Sequence, residues 1–225
     1  MSKDFEVRMS ELINNPSNRV PVVLCLDASG SMADAPMREL NGGIHSFIES
    51  VKSDEIASSA VELCVVVFSD DAKVAADFRE LTHFQFEGLS AAGGTTDLGA
   101  GVNLALDLLE QRKSDLKDAG VEYYQPWMVL MTDGAPTTNT HFQAADRTNR
   151  LLADKKLVVF SIGIGDKADM DVLAMFSGKN KPKRLKGLDF HRFFDWLSKS
   201  VSVISQSALG DIPQLPPTGD WCLNY

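Results

Sequence analysis

Oxygen-bearing side chains follow directly on the first long apolar run of the sequence. Val22 to Leu26 is apolar throughout, which predicts a strand buried on both faces. Asp27 ends this run, and Ser29 and Ser31 follow with one residue between them. Carboxylate and hydroxyl oxygens are hard ligands that suit magnesium, manganese or calcium better than zinc or copper. The pattern therefore predicts a divalent-cation site immediately after the first strand.

Two later loops offer side chains of the same kind. A glycine-rich loop, 91–100, contains Thr95 and Thr96 and precedes a long amphipathic segment, and Asp133 ends another buried apolar run. The carboxyl ends of parallel strands share one edge of an α/β sheet, and such edges bind ligands where the strand order reverses. If all three loops converge there, Asp27 and Asp133 repel each other unless a cation lies between them.

Each loop by itself also has an ordinary structural explanation. Asp, Ser and Gly are common turn formers, so both the segment after the first strand and Asp133 with Gly134 could be plain turns. Thr95, Thr96 or Asp97 could cap the helix that follows. Capping and metal binding are compatible, and the presence of three such loops in one chain favours a shared metal site.

The elements that must position these loops alternate along the chain. Apolar periodicity predicts strands over 20–27, 61–68, 73–78, 127–132 and 157–164 and around Leu185; it predicts helices over 36–52, from the glycine-rich loop to Gly120, and over 141–155, 169–176 and 190–204. This alternation predicts an α/β fold, with a doubly wound, mostly parallel sheet flanked by helices. We expect a polar lead-in (1–19), one domain (20–207) and a proline-containing tail (208–225).

The bulk composition excludes several classes of function. The chain of 225 residues has a formal net charge of −9, which disfavours nucleic-acid binding. It has no apolar run long enough to span a membrane, and its N-terminus lacks the apolar core of a signal peptide. Its 3 cysteines show no metal-binding spacing, which is typical of a reducing compartment. We therefore expect a cytoplasmic protein that binds neither nucleic acid nor membrane.

The three loops together resemble the metal-ion-dependent adhesion site of the von Willebrand factor A (vWA) domain. The matching segments are Asp27-x-Ser29-x-Ser31, then Gly93-Gly-Thr-Thr-Asp-Leu-Gly99, then Leu130-Met-Thr-Asp-Gly134. The resemblance covers residues 20–207. It implies six strands in the order 3-2-1-4-5-6, with the third strand antiparallel.

The resemblance also implies a role for each matching residue. Ser29 and Ser31 would bind the ion directly, Thr96 directly or through water, and Asp27 and Asp133 mainly through water. Thr96 has the family's spacing to the following glycine, and Thr95 is the alternative. The expected ion is magnesium or manganese ahead of calcium, with one position open for an aspartate or glutamate of a protein partner.

The segment from Leu185 to Ser202 is further similar to bacterial TerY/YegL-type proteins of tellurium-resistance gene neighbourhoods. This likeness implies an intracellular complex in tellurite or stress resistance or in phosphorylation-linked signalling. The alternative function is a magnesium-dependent hydrolase of phosphoryl groups that uses Asp27 and Asp133. A third possibility is a metal-free scaffold. Motifs for a serine nucleophile, a phosphate-binding loop or a zinc protease are absent from the sequence, which favours a binding module over an enzyme.

Two further segments each have two interpretations. The basic segment 179–186 is either a solvated edge loop or a patch for an anionic partner. The tail around Pro213 and Pro216 either packs over a hydrophobic groove through Trp221 or presents a polyproline ligand.

Overall fold

A computed structural model describes Asn15 and residues 17–223 of the protein. The predicted lead-in, 1–19, lies mostly outside the described residues. The strands are β1 (Val20–Asp27), β2 (Val61–Phe68), β3 (Ala72–Glu80), β4 (Trp127–Thr132), β5 (Val158–Gly163), β6 (Lys183–Leu185) and β7 (Cys222–Leu223). The α-helices are α1 (Ala35–Lys52), α2 (Glu55–Ala60), α3 (Leu98–Asp118), α4 (Thr140–Ala153), α5 (Met170–Ala174) and α6 (Phe190–Ser205), and short 3-10 turns cover Gly30–Met32 and Leu81–His83.

The sheet has the order β3-β2-β1-β4-β5-β6-β7. β1 pairs in parallel with both β2 and β4, whereas β3 runs antiparallel to β2. The predicted order of the first six strands and the antiparallel third strand are confirmed. The chain leaves β1 toward β2 on one side and returns to β4 on the other, so the reversal of strand order lies beside β1.

The apolar runs are continuous because each central strand is buried on both faces. In β1, Leu24 and Leu26 face one core, which α1 and α6 cover, while Val23 and Cys25 face a second core beneath α3, α4 and α5. Such two-sided burial is the property that distinguishes a parallel sheet from a half-exposed antiparallel one. It holds β1 rigidly at the centre and so fixes where its last residue lies.

The largest departures from the predicted elements lie outside the central sheet. Helix α2 was not anticipated; the side chain of Asp54 caps it by accepting hydrogen bonds from the backbone N–H groups of Ile56 and Ala57, both at 3.1 Å. Strand β7 is also additional and pairs antiparallel with β6. Both are short elements with little periodicity, and they depend on contacts made by the folded chain.

The C-terminal segment packs against α6 through Trp221. This side chain is 1% exposed and lies edge-on to Phe193, with ring centroids 4.9 Å apart. The indole N–H of Trp196 donates to the carbonyl of Pro216 at 2.8 Å. Of the two interpretations of the tail, the structure favours packing, because its aromatic anchor is buried and one of its prolines is engaged. The division at residue 208 stays a prediction.

Two side chains of the basic segment 179–186 serve the fold itself. Arg184 is 8% exposed, and its guanidinium donates to the carbonyls of Gly165 and Ala168. Lys186 donates to the carbonyl of Gly219 at 2.6 Å. These contacts tie β6 to its neighbouring loops, which supports a structural role for this part of the segment.

A buried ion network lies at the amino-terminal edge of the central strands. Glu62 and Arg19 are fully buried and 3.1 Å apart, and Arg19 also reaches Glu80 at 2.9 Å. Arg112, on α3, makes two hydrogen bonds to the Glu62 carboxylate, of 2.7 and 2.6 Å. The network joins β2 and β3 to α3 at the edge opposite to the three oxygen-rich loops.

Among the described residues, no helix is both long and apolar enough to cross a bilayer.

Candidate functional site

The three predicted loops meet at the carboxyl edge of the sheet, and backbone hydrogen bonds join them. The N–H of Ala92 donates to the carbonyl of Ala28 at 2.8 Å, which ties the glycine-rich loop to the end of β1. The N–H of Thr137 donates to the carbonyl of Thr96 at 3.0 Å, which ties the same loop to the segment after β4. The glycine-rich loop is therefore held between the other two.

Asp27 lies at the base of this cluster and is 1% exposed. One carboxylate oxygen accepts from the backbone N–H of Ser29 at 2.8 Å, and the other accepts from the hydroxyl of Thr132 at 2.5 Å. Burial raises the pKa of Asp27; the hydrogen bonds from Ser29 and Thr132 act to lower it, and the nearby charge of Asp133 raises it further. A buried carboxylate with a raised pKa gains most from a cation placed beside it.

The two serines and Asp133 form a chain of oxygens above Asp27. The hydroxyl oxygens of Ser29 and Ser31 are 3.1 Å apart, and the Ser31 hydroxyl donates to the Asp133 carboxylate at 2.8 Å. Neighbouring ligands of an octahedral magnesium ion, with bonds of about 2.0–2.1 Å, lie about 3 Å from each other. The spacing of these oxygens and their hard donor chemistry therefore fit a small divalent cation.

The structure distinguishes the two neighbouring threonines. Thr95 is exposed, and its hydroxyl and backbone N–H both donate to Asp70, each at 2.6 Å. Thr96 is 7% exposed, and its hydrogen bonds within the described chain are made by its backbone, including one from its N–H to the Thr137 hydroxyl at 3.0 Å. The Thr96 hydroxyl is thus free of protein partners there, which favours Thr96 over Thr95 as the metal-facing residue.

Asp97 serves the fold of the loop and not the cation cluster. Its carboxylate accepts from the N–H of Ala100 and from the hydroxyls of Thr138 and Thr140. Burial acts to raise the pKa of Asp97, but the hydrogen bonds from Thr140, Ala100 and Thr138 hold that pKa below its usual range. Of the three residues that could cap α3, Asp97 is the one whose side chain does so, and the same carboxylate also ties α3 to the start of α4.

Three residues that contact the predicted set had no role assigned from the sequence. Thr132 holds Asp27, Thr137 holds Thr96, and Asp70 holds Thr95. Thr132 is within the matching motif beside Asp133, so its position was a usable signal. The contacts of Asp70 and Thr137 have no local signal, because each joins segments far apart in the chain.

The donor set differs from the histidine and cysteine ligands of a dedicated structural zinc site. Within residues 17–223 and Asn15, no group of three or more histidine, cysteine, aspartate or glutamate side chains is placed to hold a metal ion. A cation at this edge would therefore depend on hydroxyl oxygens in addition to Asp27 and Asp133. This is the chemistry that magnesium and manganese prefer.

Comparison with known proteins gives a consistent family. The model of the von Willebrand factor type A domain matches residues 22–193. No curated protein matches the chain. Proximal thread matrix protein 1 from the mussel byssus is 20% identical with a TM-score of 0.58, over 84% of this chain and 49% of that chain. This chain therefore spans about half the length of that protein. A second structure of the same protein, with a zinc-occupied metal-ion-dependent adhesion site (MIDAS) motif, also matches.

Two bacterial structures show the same fold. A von Willebrand factor type A protein from Catenulispora acidiphila is 17% identical, with a TM-score of 0.60 over 83% of this chain and 43% of that chain. The vWF domain of the pilus tip protein Mfa5 from Porphyromonas gingivalis is 11% identical, with a TM-score of 0.63 over 88% of this chain and 99% of that domain. The family match covers well over half of the sequence, and the fold and loop arrangement agree with it. The chain therefore belongs to the von Willebrand factor type A domain family.

Proposed function

We propose that this protein is a divalent-cation-dependent protein-binding module that uses Asp27, Ser29, Ser31, Thr96 and Asp133. The observation that carries the proposal is the run of oxygens from Ser29 through Ser31 to Asp133, spaced at 3.1 and 2.8 Å above a buried Asp27. The zinc-occupied MIDAS motif of the mussel protein supports a metal at the corresponding edge of this fold.

Each residue would contribute a different part of the site. Ser29 and Ser31 would supply hydroxyl ligands, and Thr96 would supply a third from the glycine-rich loop. Asp27 and Asp133 would balance the charge of the ion. A bound magnesium or manganese ion would supply an electrophilic position for a carboxylate of the partner. The net charge of −9 repels acidic proteins at long range, so the ion would be the local source of attraction.

We further propose that the protein acts in the bacterial cytoplasm, in a complex linked to tellurite or stress resistance or to phosphorylation. The likeness of 185–202 to TerY/YegL-type proteins supports this setting. The buried, unpaired cysteines Cys25, Cys64 and Cys222 are compatible with a reducing compartment. Its partner would be a protein, with neither nucleic acid nor membrane as a ligand.

The position of Asp27 argues against the alternative of a phosphoryl hydrolase. At 1% exposure, with both carboxylate oxygens already accepting hydrogen bonds, Asp27 is not accessible to attack a substrate. We expect no magnesium-dependent hydrolysis of a generic phosphomonoester such as p-nitrophenyl phosphate. If the wild-type protein hydrolysed this substrate and Asp27→Asn did not, the hydrolase would be favoured over the protein-binding module.

Magnesium or manganese is expected to raise the melting midpoint of the wild-type protein, and a chelator to lower it. An ion at 100 times its Kd stabilises the folded chain by about 2.7 kcal/mol. If Ser29→Ala weakens the Kd a hundredfold, only about 0.4 kcal/mol remains at the same ion concentration. Thermal melts of both proteins, with and without the ion, measure this. Ser46→Ala, at an exposed serine of α1, is the control and should respond like wild type.

Partner binding is expected to need both the ion and Asp133. Immobilised wild-type protein should retain a partner from a lysate of its native cell in magnesium but not in chelator. Asp133→Ala and Asp27→Ala should each lose this retention while keeping a native-like circular dichroism spectrum. Equal retention under all conditions would show that the interface lies elsewhere on the molecule, for example on the segment 179–186.

A further inference from the structure

We propose that Asp70 is a positioning residue for this site, which acts through Thr95 to present the Thr96 hydroxyl to the cation. The inference rests on the proposed function and extends it to a carboxylate outside the predicted set. Asp70 lies in the turn after β2, at the same edge of the sheet as the other loops. One of its carboxylate oxygens accepts from both the N–H and the hydroxyl of Thr95, each at 2.6 Å.

The backbone of the glycine-rich loop is shaped around Asp70. Gly94 has a φ of +78°, a conformation that residues with a side chain rarely adopt. A Cβ added at Gly94 would lie 2.2 Å from a carboxylate oxygen of Asp70. Just beyond, the N–H of Asp97 donates to the carbonyl of Ser69 at 2.7 Å. The loop therefore lies directly against the turn that carries Asp70, with contacts on both sides of Thr95 and Thr96.

This contact determines which of the two threonines is available. Asp70 occupies the hydroxyl of Thr95 at the exposed surface, whereas Thr96 is 7% exposed with its hydroxyl free of partners in the described chain. The three hydrogen bonds from Thr95 and Asp97 to the turn hold the peptide between them in one orientation. We expect loss of the Asp70 contact to free this part of the loop, so that the Thr96 hydroxyl is no longer held in one orientation.

Asp70 acts through the loop and is not itself part of the oxygen cluster. Within the described part of the chain, its hydrogen bonds are with Thr95 alone, and none joins it to Asp27, Ser29, Ser31 or Asp133. The hydrogen bonds from the Thr95 hydroxyl and N–H hold the pKa of Asp70 below its usual range, in accord with an ionised acceptor at neutral pH. Residues that orient metal ligands typically contribute 10–100-fold to metal affinity.

The test is the affinity of the purified full chain for manganese or magnesium, measured by calorimetric titration. We expect Asp70→Ala to weaken the Kd roughly tenfold. Asp70→Asn should stay close to wild type, because its amide oxygen can accept the same two hydrogen bonds. Thr95→Val, which removes only the hydroxyl, should give an intermediate loss. Melting midpoints in chelator should be nearly equal in all four proteins, because the contact is exposed to solvent.

Asp71→Ala is the matched control. Asp71 is the next residue of the same turn, and its exposed carboxylate pairs with Lys73 at 3.2 Å. The Asp71→Ala substitution removes one negative charge from the same turn but leaves the contact between Asp70 and Thr95 in place. Equal losses in Asp70→Ala and Asp71→Ala would reduce the effect to general electrostatics and overturn the proposal.

The remaining outcomes are equally decisive. An Asp70→Asn variant as weak as Asp70→Ala would show that the charge matters and not the hydrogen bonds, which also overturns the proposal. If wild type and Asp70→Ala bind the ion with equal affinity, the role of Asp70 is refuted and the proposed function stands. A wild-type protein that binds no ion would refute the proposed function first. If Asp70→Ala fails to fold, Thr95→Val decides by the same titration.

Discussion

Replacement of Glu62 by glutamine is expected to destabilise the folded protein by about 3–5 kcal/mol, although Glu62 is far from the candidate site. Glu62 is fully buried. Its carboxylate accepts one hydrogen bond from Arg19 and two from Arg112, from Nε and Nη2. Glutamine has nearly the same shape but no charge. Glu80, which pairs with Arg19, would then be the remaining buried carboxylate of the network, and Arg112 would lose its carboxylate partner there.

The size of the effect follows from the cost of an uncompensated buried charge. Two arginines and two glutamates balance in the wild-type network, and the loss of one glutamate leaves an excess positive charge in a region with little water. Burial acts to lower the pKa of Arg112, but its hydrogen bonds with Glu62 and the charge of Glu62 raise that pKa overall. Without Glu62 those raising contributions are lost, but arginine stays protonated in proteins even without a carboxylate partner. Arg112 is therefore still charged in the variant, and the folded state bears its desolvation cost.

Urea denaturation of wild type and Glu62→Gln measures this loss directly. The matched control is Glu39→Gln, which breaks an exposed pair with Arg38 at 3.5 Å and should change the free energy of unfolding by no more than about 1 kcal/mol. Adding Arg112→Met to Glu62→Gln should recover part of the loss, because the charges of Arg19 and Glu80 then balance. Similar unfolding midpoints for Glu62→Gln and Glu39→Gln would contradict the prediction.

Asp27→Asn is expected to have opposite effects in chelator and in magnesium. In chelator, the variant should melt a few degrees above wild type, because it removes a buried carboxylate that lacks a counter-ion. About 1 kcal/mol moves the melting midpoint of a domain of this size by roughly 2–4 °C. In saturating magnesium, wild type should gain about 2.7 kcal/mol at 100 times the Kd, while the variant gains little. The order of the two midpoints should then reverse.

The pH dependence gives the sign of the effect independently. Burial raises the pKa of Asp27 above its ordinary value of 3.8, so the folded chain binds this proton more tightly than the unfolded chain. Without a metal, ionisation of Asp27 therefore costs stability as pH rises from about 3.8 through the folded pKa. The advantage of Asp27→Asn in chelator should be complete above that range and vanish below it.

Melting curves in chelator from acidic to neutral pH, repeated with magnesium at neutral pH, test both parts. Asp195→Asn is the control, since Asp195 is exposed on α6 and pairs with Lys199 at 2.7 Å. It should show neither the reversal nor the loss of the magnesium response. A variant Asp27→Asn that melts below wild type in chelator would show that the charge of Asp27 stabilises the fold by itself.

Much of the fold could be predicted from the sequence because strand burial leaves a local signal. The apolar runs at Val20–Asp27, Val61–Phe68 and Trp127–Thr132 are the same in the sequence and in the structure. Each run ends at the point where the chain reaches the edge of the sheet, so the oxygen-rich loops could also be located. The order of the six strands came from the resemblance of those loops to the vWA family and is confirmed by the sheet.

Other features depend on contacts between distant segments and could not be predicted in the same way. The sequence left Thr95 open as an alternative to Thr96; the structure favours Thr96 through a carboxylate 25 positions earlier in the chain. The Thr132 hydroxyl donates to Asp27, which lies 105 positions away in the sequence, and Arg112 donates to Glu62, which lies 50 positions away. Burial and periodicity are properties of neighbouring residues, so the sequence by itself determined the strands, the loops and the kinds of donor they carry. Hydrogen bonds and ion pairs join residues that only the folded chain brings together, so the tertiary structure alone decided which donors are occupied, which are free, and where buried charges balance.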